Sequence, residues 1–326
     1  MLILSRGELE RLLPPRDVID ALEAAFRLHA AGRATAPARS VVGVGDQGVL
    51  LFMPAMVGAE GSPALGTKLV TVYAGNRSRG HPTIYASYVL MDGATGQPLA
   101  LLEGTFLTAL RTGATSALAA RLLARPDARR VACFGAGVQA GFQLACLADV
   151  RRLERVAVAG RDPGRARRFA ETMRERLGIP VEVAADPRIA AREADIITCA
   201  TTSPTPVVFG TDLRPGTHVD LVGAFRPTDR EADTPAMSRA RVVVDTYAGA
   251  LEEAGDILIP VREGAFDRGH IAAELAEVVT GARPGRTSDQ EITVFKSVGW
   301  ALEDLVTARL AYNRARAEGL GQEVSL

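Results

Sequence analysis

The chain has 326 residues, with 38 Lys+Arg balanced by 38 Asp+Glu, and 47% hydrophobic residues. Its length suffices for two domains with substantial cores, and its composition is that of an ordinary soluble globular protein. A formal charge of zero supplies no basic field for nucleic acid or a membrane surface.

No apolar run reaches the ~18 residues that a membrane helix needs. The start, MLILSRGELERLLPP, lacks a cationic segment followed by a long apolar one, so the expected compartment is the cytoplasm. Cys133, Cys146 and Cys199 stand in apolar surroundings without metal-ligand spacing and read as buried small hydrophobes. His29, His81, His218 and His270 share no local pattern, so no metal site is expected and most of them read as surface or capping residues.

In chain order, residues 5–31 read as one helix, with Val18, Ile19, Leu22, Ala25, Phe26 and His29 at helical spacing. From Val41 to Leu102 short β-like runs are divided by Gly and Pro, which predicts an antiparallel sheet. An alanine-rich helix follows, Thr108 to Leu123. Then strand and helix alternate: RRVACFGAG, RVAVAG, PVEVA, ADIITCAT, HVDLVGA and RVVVDT are strands, with helices over 138–147 and 164–177. This rhythm predicts an α/β fold, a Rossmann-type doubly wound parallel sheet joined to a second, α+β domain. The tail from Thr293 to Ala317 reads as one amphipathic helix carrying Trp300, and the order of elements favours its crossing back to the first domain.

FGAGVQAG, residues 134–141, matches G-x-G-x-x-A with Gly135, Gly137 and Ala140 directly after a strand and opening a helix. The first glycine allows a tight turn, the second a close approach to pyrophosphate, and the third position must be small for helix–strand packing. At the end of the second strand an NAD site usually carries an acid for the ribose hydroxyl; here stand Gly160 and Arg161. The pair leaves room for a 2′-phosphate and offers a fork-shaped cation, which favours NADP (NADPH), with NAD as the alternative. Asp162 either serves the ribose from a late position or caps the following helix, with Pro163 at its first turn.

Three further residues stand out. Lys68 interrupts the apolar strand LGTKLVTVY and faces either a cleft or water at the sheet edge. Arg111, on an otherwise small and apolar helix, either pairs with a carboxylate such as Glu103 or forms an anion site. Phe225 stands just past the strand HVDLVGA, at the lip where polar catalytic groups are expected. No G-x-S-x-G, H-E-x-x-H or P-loop occurs.

The run NRSRGHPTIYASYVLMDGATGQPLALLEGTFLTALRTGATSALAARLLARPDA, followed by CFGAGVQA and, later, VFKSVGWALEDLVTARLAY, resembles the ornithine cyclodeaminase/μ-crystallin family over nearly the whole chain. That resemblance implies a Rossmann domain, residues 113–296, and a substrate-binding and dimerisation domain from residues 1–112 plus 297–326. It implies a homodimer and a small imino or amino acid as substrate, whose carboxylate would be held by Arg39, Lys68 and Arg111. Thr83, Arg111, Val138, Gln139, Thr201, the stretch Val219 to Val222, and Ser297 would touch the cofactor.

Two departures bear on activity. The cyclodeaminase branch has a catalytic aspartate where this chain has Phe225, and a glutamate gripping the distal amine where alignment puts Leu51. Losing both argues against cyclodeamination. What remains is hydride transfer at C2 of an imino or amino acid, with a cyclic ketimine of the Δ1-pyrroline-2-carboxylate or Δ1-piperideine-2-carboxylate type as the expected substrate. Alanine dehydrogenase-like activity, ornithine cyclodeaminase and a non-catalytic NADPH-dependent small-ligand binder are the alternatives, in that order.

Overall fold

The computed structural model describes residues 1–58 and 63–325. The chain divides into two compact units, Met1–Arg111 with Trp300–Leu326, and Thr112–Gly299.

The first unit opens with strand β1 (Leu2–Leu4) and two helices, α1 (Arg6–Leu12) and α2 (Pro15–Ala30). The sequence reading of one helix misses this break: Pro14 and Pro15 cannot donate to the preceding turn, so the first helix ends and Pro15 starts the second. Strands β2 (Ala34–Thr35), β3 (Ser40–Val44), β4 (Gly48–Val57), β5 (Ala64–Val72), β6 (Ile84–Asp92) and β7 (Pro98–Glu103) follow. Helix α3 (Gly104–Leu123) runs on into the second unit and starts four residues earlier than its periodicity suggests. Its start is held by Glu103, whose carboxylate accepts from Thr105 N at 2.7 Å and Phe106 N at 2.8 Å.

The second unit continues with β8 (Arg130–Phe134), α4 (Val138–Val150), β9 (Arg155–Ala159), α5 (Pro163–Leu177), β10 (Val181–Val183), α6 (Pro187–Glu193), β11 (Ile196–Cys199) and β12 (His218–Leu221). Then come α7 (Thr234–Arg239), β13 (Arg241–Val244), α8 (Tyr247–Glu253), α9 (Gly255–Arg262), β14 (Ile271–Glu274), α10 (Leu275–Thr280) and β15 (Thr293–Lys296). The chain returns to the first unit with α11 (Ala301–Glu318) and β16 (Gln322–Glu323).

In the second unit all neighbouring strands are parallel, in the order β10-β9-β8-β11-β12-β15-β13-β14. The direction of winding reverses between β8 and β11, the switch point at which open α/β sheets bind ligands. β11 and β12 are buried at every position, as a strand covered on both faces must be. One expectation fails here: Thr293 to Lys296 are not the start of the tail helix but a central strand between β12 and β13. A run of four buried residues carries no periodicity by which sequence can separate strand from helix. The second unit accordingly keeps residues up to Gly299, whereas the sequence reading cuts at 296.

The sheet of the first unit runs β16-β1-β7-β6-β5-β4-β2, with β3 on the outer part of β4, and is antiparallel except for β1 beside β7. β4 and β5 alternate cleanly, burying Leu51, Met53, Ala55 and Val57 on one and Ala64, Gly66, Lys68 and Val70 on the other. Helix α11 covers that inner face and packs on α2, whose Val18, Ile19, Leu22 and Phe26 are buried.

Candidate active site

The glycine turn after β8 is built as its sequence pattern requires. Gly135 has φ +117°, and a Cβ there would lie 2.6 Å from the Ala200 carbonyl oxygen, so only glycine fits. Gly137 caps α4 with no side chain on the first turn, Val138 is 70% exposed there, and Ala140 is fully buried under the helix. The leading amides of α4 thus face outward at the positive end of the helix, a cradle for pyrophosphate. This geometry fits a dinucleotide.

Gly160 follows β9, where a Cβ would press on the Ala166 Cβ at 3.2 Å, and Arg161 beside it is exposed. The alternative left open for Asp162 resolves: its carboxylate accepts from Arg165 N at 3.0 Å and caps α5, with Pro163 at the first position. That bond lowers the Asp162 pKa. Arg165 was not singled out in the sequence, yet its Nε donates to the Ala136 carbonyl at 2.9 Å and lays the side chain over the glycine turn. A basic helix surface offers no signal that separates such an arginine from its solvated neighbours.

At the carboxyl ends of β11, β12 and β15 the chain carries Thr201, Val222 to Phe225, and Ser297. Thr201 N and Oγ1 both donate to Glu231, at 2.7 and 2.8 Å. Val219, Asp220 and Leu221 are buried within β12, and the half-buried Val222 is the first residue past the strand end. Ser297 is buried and its Oγ donates to Asp245 Oδ2 at 2.9 Å; the same oxygen accepts from Val298 N and Gly299 N at 2.8 Å each. Phe225 is 36% exposed, with the Arg226 guanidinium 6.0 Å from its ring centre.

In the first unit, Lys68 faces neither water nor the sheet edge. It sits on the inner face of β5, directly across from Tyr88 of β6 and Met53 of β4, and is 1% exposed. Its Nζ lies 2.7 Å from Asp304 Oδ2, and Arg111 Nε lies 2.9 Å from the other oxygen of the same carboxylate. Arg111 Nη1 meets Glu303 Oε2 at 2.5 Å. The partner of Arg111 is therefore this pair on α11 and not Glu103, which is spent on the start of α3.

Burial pushes the Lys68 ammonium down to about 8 against the pull of Asp304, while Arg111 beside it lowers it further. Burial, with Asp304 nearby, raises the Tyr88 hydroxyl well above its ordinary value. Arg39 is half-buried just before β3, Thr83 is half-buried just before β6, and Leu51 is buried on the inner face of β4.

Among the histidines His218 is the exception to the surface or capping reading: it is wholly buried in β12, with Nδ1 2.9 Å from Thr293 Oγ1, and burial pushes its pKa down to about 3. Sequence reading also passed over Glu303, Asp304, Glu231, Asp245 and Asp256, all buried or bonded at strand and helix ends. The ED pair of GWALEDLV was in view, but a lone strand lysine gives no hint of which distant carboxylates it meets.

The profile of the Ornithine cyclodeaminase/mu-crystallin family matches residues 1–319. The Delta(1)-pyrroline-2-carboxylate reductase of Bacillus cereus is 40% identical over 326 residues, 99% of each chain. Among solved structures, that of Thermococcus litoralis Delta(1)-pyrroline-2-carboxylate reductase in complex with NADH and L-proline has a TM-score of 0.96 at 45% identity, covering 99% of this chain and 100% of that one. An archaeal alanine dehydrogenase dimer with bound NAD has a TM-score of 0.93 at 34% identity, covering 100% of this chain and 99% of that one. With its glycine turn, parallel sheet and whole-length match, this chain belongs to the ornithine cyclodeaminase/μ-crystallin family.

Proposed function

We propose that this protein is a nicotinamide-dependent oxidoreductase that reduces the C=N bond of a cyclic 2-imino acid of the Δ1-pyrroline-2-carboxylate or Δ1-piperideine-2-carboxylate type. The observation that carries the choice within the family is the hydrocarbon at two key positions: Phe225 past β12 and the buried Leu51 on β4. A ring at the lip cannot activate water against an imine carbon, whereas a carboxylate could. The relatives named above, two reductases of this substrate class among them, support the same reading.

The nicotinamide supplies the hydride when bound. Lys68 and Arg111 bind the substrate carboxylate, joined by Arg39. Together with Glu303 and Asp304 the two cations form a set of two positive and two negative charges. A protonated cyclic imine bearing a carboxylate is itself neutral overall, so docking it adds no net charge to a buried cluster, which a simple anion would. The iminium nitrogen of such a substrate already carries its proton, so reduction would ask no further acid of the protein, and the hydrocarbon of Phe225 offers no group that could activate water. Lys68 holds the proton at Nζ that keeps the clamp charged.

Arg161, exposed beside Gly160 with Asp162 committed to the helix cap, favours NADPH over NADH. The outer face of the first unit's sheet exposes Val42, Phe52, Met56 and Tyr85, an apolar patch that supports a homodimer. No helix among the described residues is long and apolar enough to cross a membrane.

Purified protein offered Δ1-pyrroline-2-carboxylate, Δ1-piperideine-2-carboxylate, pyruvate with ammonia, and ornithine, each with both cofactors, tests the proposal. Fast cofactor oxidation with the cyclic imines is expected. Turnover only of pyruvate with ammonia, release of ammonia from ornithine, or cofactor binding with no turnover would each replace it.

A further inference from the structure

Of the 38 basic residues only two are lysines, Lys68 and Lys296; all others are arginines. Both are buried, 1% and 0% exposed, and each faces an aspartate. In a chain that otherwise uses arginine, these are the two places where a compact point charge stands in a closed slot. Lys68 belongs to the substrate clamp. Lys296 touches none of the groups assigned above to substrate.

Lys296 is the last residue of β15. Its Nζ lies 2.8 Å from Asp256 Oδ2 and donates to the Ala224 carbonyl. Asp256, in the first turn of α9, accepts with its other oxygen from Glu231 N at 2.8 Å and Ala232 N at 2.9 Å. Glu231 in turn receives four donors: Thr201 N at 2.7 Å, Thr201 Oγ1 at 2.8 Å, Gly223 N at 2.7 Å and Ala224 N at 3.3 Å. All three side chains belong to residues 0% exposed. They tie together the chain beyond β11, beyond β12 and at the end of β15, three neighbouring strands of the parallel sheet. Gly223 shows how closely the lip is held, since a Cβ there would land on the Thr201 backbone and the Glu231 carboxylate.

A dinucleotide with its pyrophosphate on α4 lies across the switch between β8 and β11. By that rule its adenosine half would lie toward the end of β9, where Gly160 and Arg161 stand, and its other half toward the ends of β11 and β12. We propose that Lys296, Asp256 and Glu231 are positioning residues that brace the lip Thr201 and Gly223–Phe225 against which the nicotinamide half of the cofactor rests. The inference depends on the dinucleotide reading of this unit. Every bond of the brace is made by the chain's own residues, so the lip needs no group of the cofactor to hold its shape.

Glu231→Gln tests this by binding alone. A glutamine has one acceptor oxygen for two sets of donors, and its amide turns a donor toward Thr201 or Gly223. The affinity for NADPH and NADH should fall about tenfold or more. The affinity for ADP-ribose and its 2′-phosphate, which lack the nicotinamide, should stay within about twofold. Hydrogen–deuterium exchange at Gly223 and Ala224 in the ligand-free protein should quicken.

Asp256→Asn, which keeps the acceptor for both backbone amides, should show the same separation more weakly. Equal loss of dinucleotide and fragment in both variants, as from general misfolding, overturns the proposal; so does unchanged dinucleotide affinity. Failure of the wild-type protein to bind either nucleotide would instead refute the dinucleotide reading.

Discussion

The two lysines place the same charge, equally buried, in two different devices. Around Lys68 the charged neighbours are side chains, Asp304 and Glu303 from α11 and Arg111 from α3, with Tyr88 opposite on β6. Around Lys296 the carboxylates lead on to backbone, so that ammonium, Asp256 and Glu231 end on six main-chain groups, four of them in the lip and two at Glu231 and Ala232. The first arrangement can respond to a charged ligand or to pH because its ion pairs run between titratable side chains. The second has its bonds fixed in the main chain and can only hold a shape.

If the first device needs a point charge, Lys68→Arg should cost the most: roughly a hundredfold or more in kcat/KM for the cyclic imine, with NADPH affinity retained. Steady-state kinetics beside cofactor titration measures both, and a loss under about tenfold would mean that any cation serves. Arg161→Ala asks whether cofactor choice lies at the end of β9, away from the Lys296 brace. NADPH affinity should fall about 10- to 100-fold and NADH affinity by little, and equal losses would move the discrimination elsewhere.

Asp304→Asn reads the charge set by pH. In the proposed clamp the protonated Lys68 is the carboxylate-binding form, so kcat/KM should hold at lower pH and decline as pH rises through about 8. Asp304 is the main influence keeping that pKa from falling further, so removing its charge should move the alkaline limb to lower pH by roughly one unit. A purely structural role would lower activity without moving the limb. Glu303→Gln should have the smallest effect, since Glu303 meets Arg111 directly and is only a lesser influence on Lys68: a severalfold rise in KM with little movement of the limb.

The parallel sheet was legible because βα alternation and a glycine turn are local signals, and Gly135, Gly137 and Ala140 stand where such a turn needs them. Lys68 and Arg111 were legible as odd residues in apolar runs. Their surroundings were not: Asp304 is 236 positions from Lys68, and no local pattern pairs them. The split of the first helix is legible in the proline pair Pro14-Pro15, whereas the strand at Thr293–Lys296 has no local signal, because its neighbours lie 75 and 52 residues away.

Sequence by itself determined the fold class, the family and the glycine turn, and put Phe225 and Leu51 where the resemblance implies carboxylates. These rest on short spacings and on residue identity, which the chain carries wherever it folds. Only the tertiary structure decided what each buried charge meets. Lys68 became one member of a neutral set and Lys296 the anchor of a lip, because a charge removed from water takes whatever partner the fold brings near, and that partner is fixed by long-range packing.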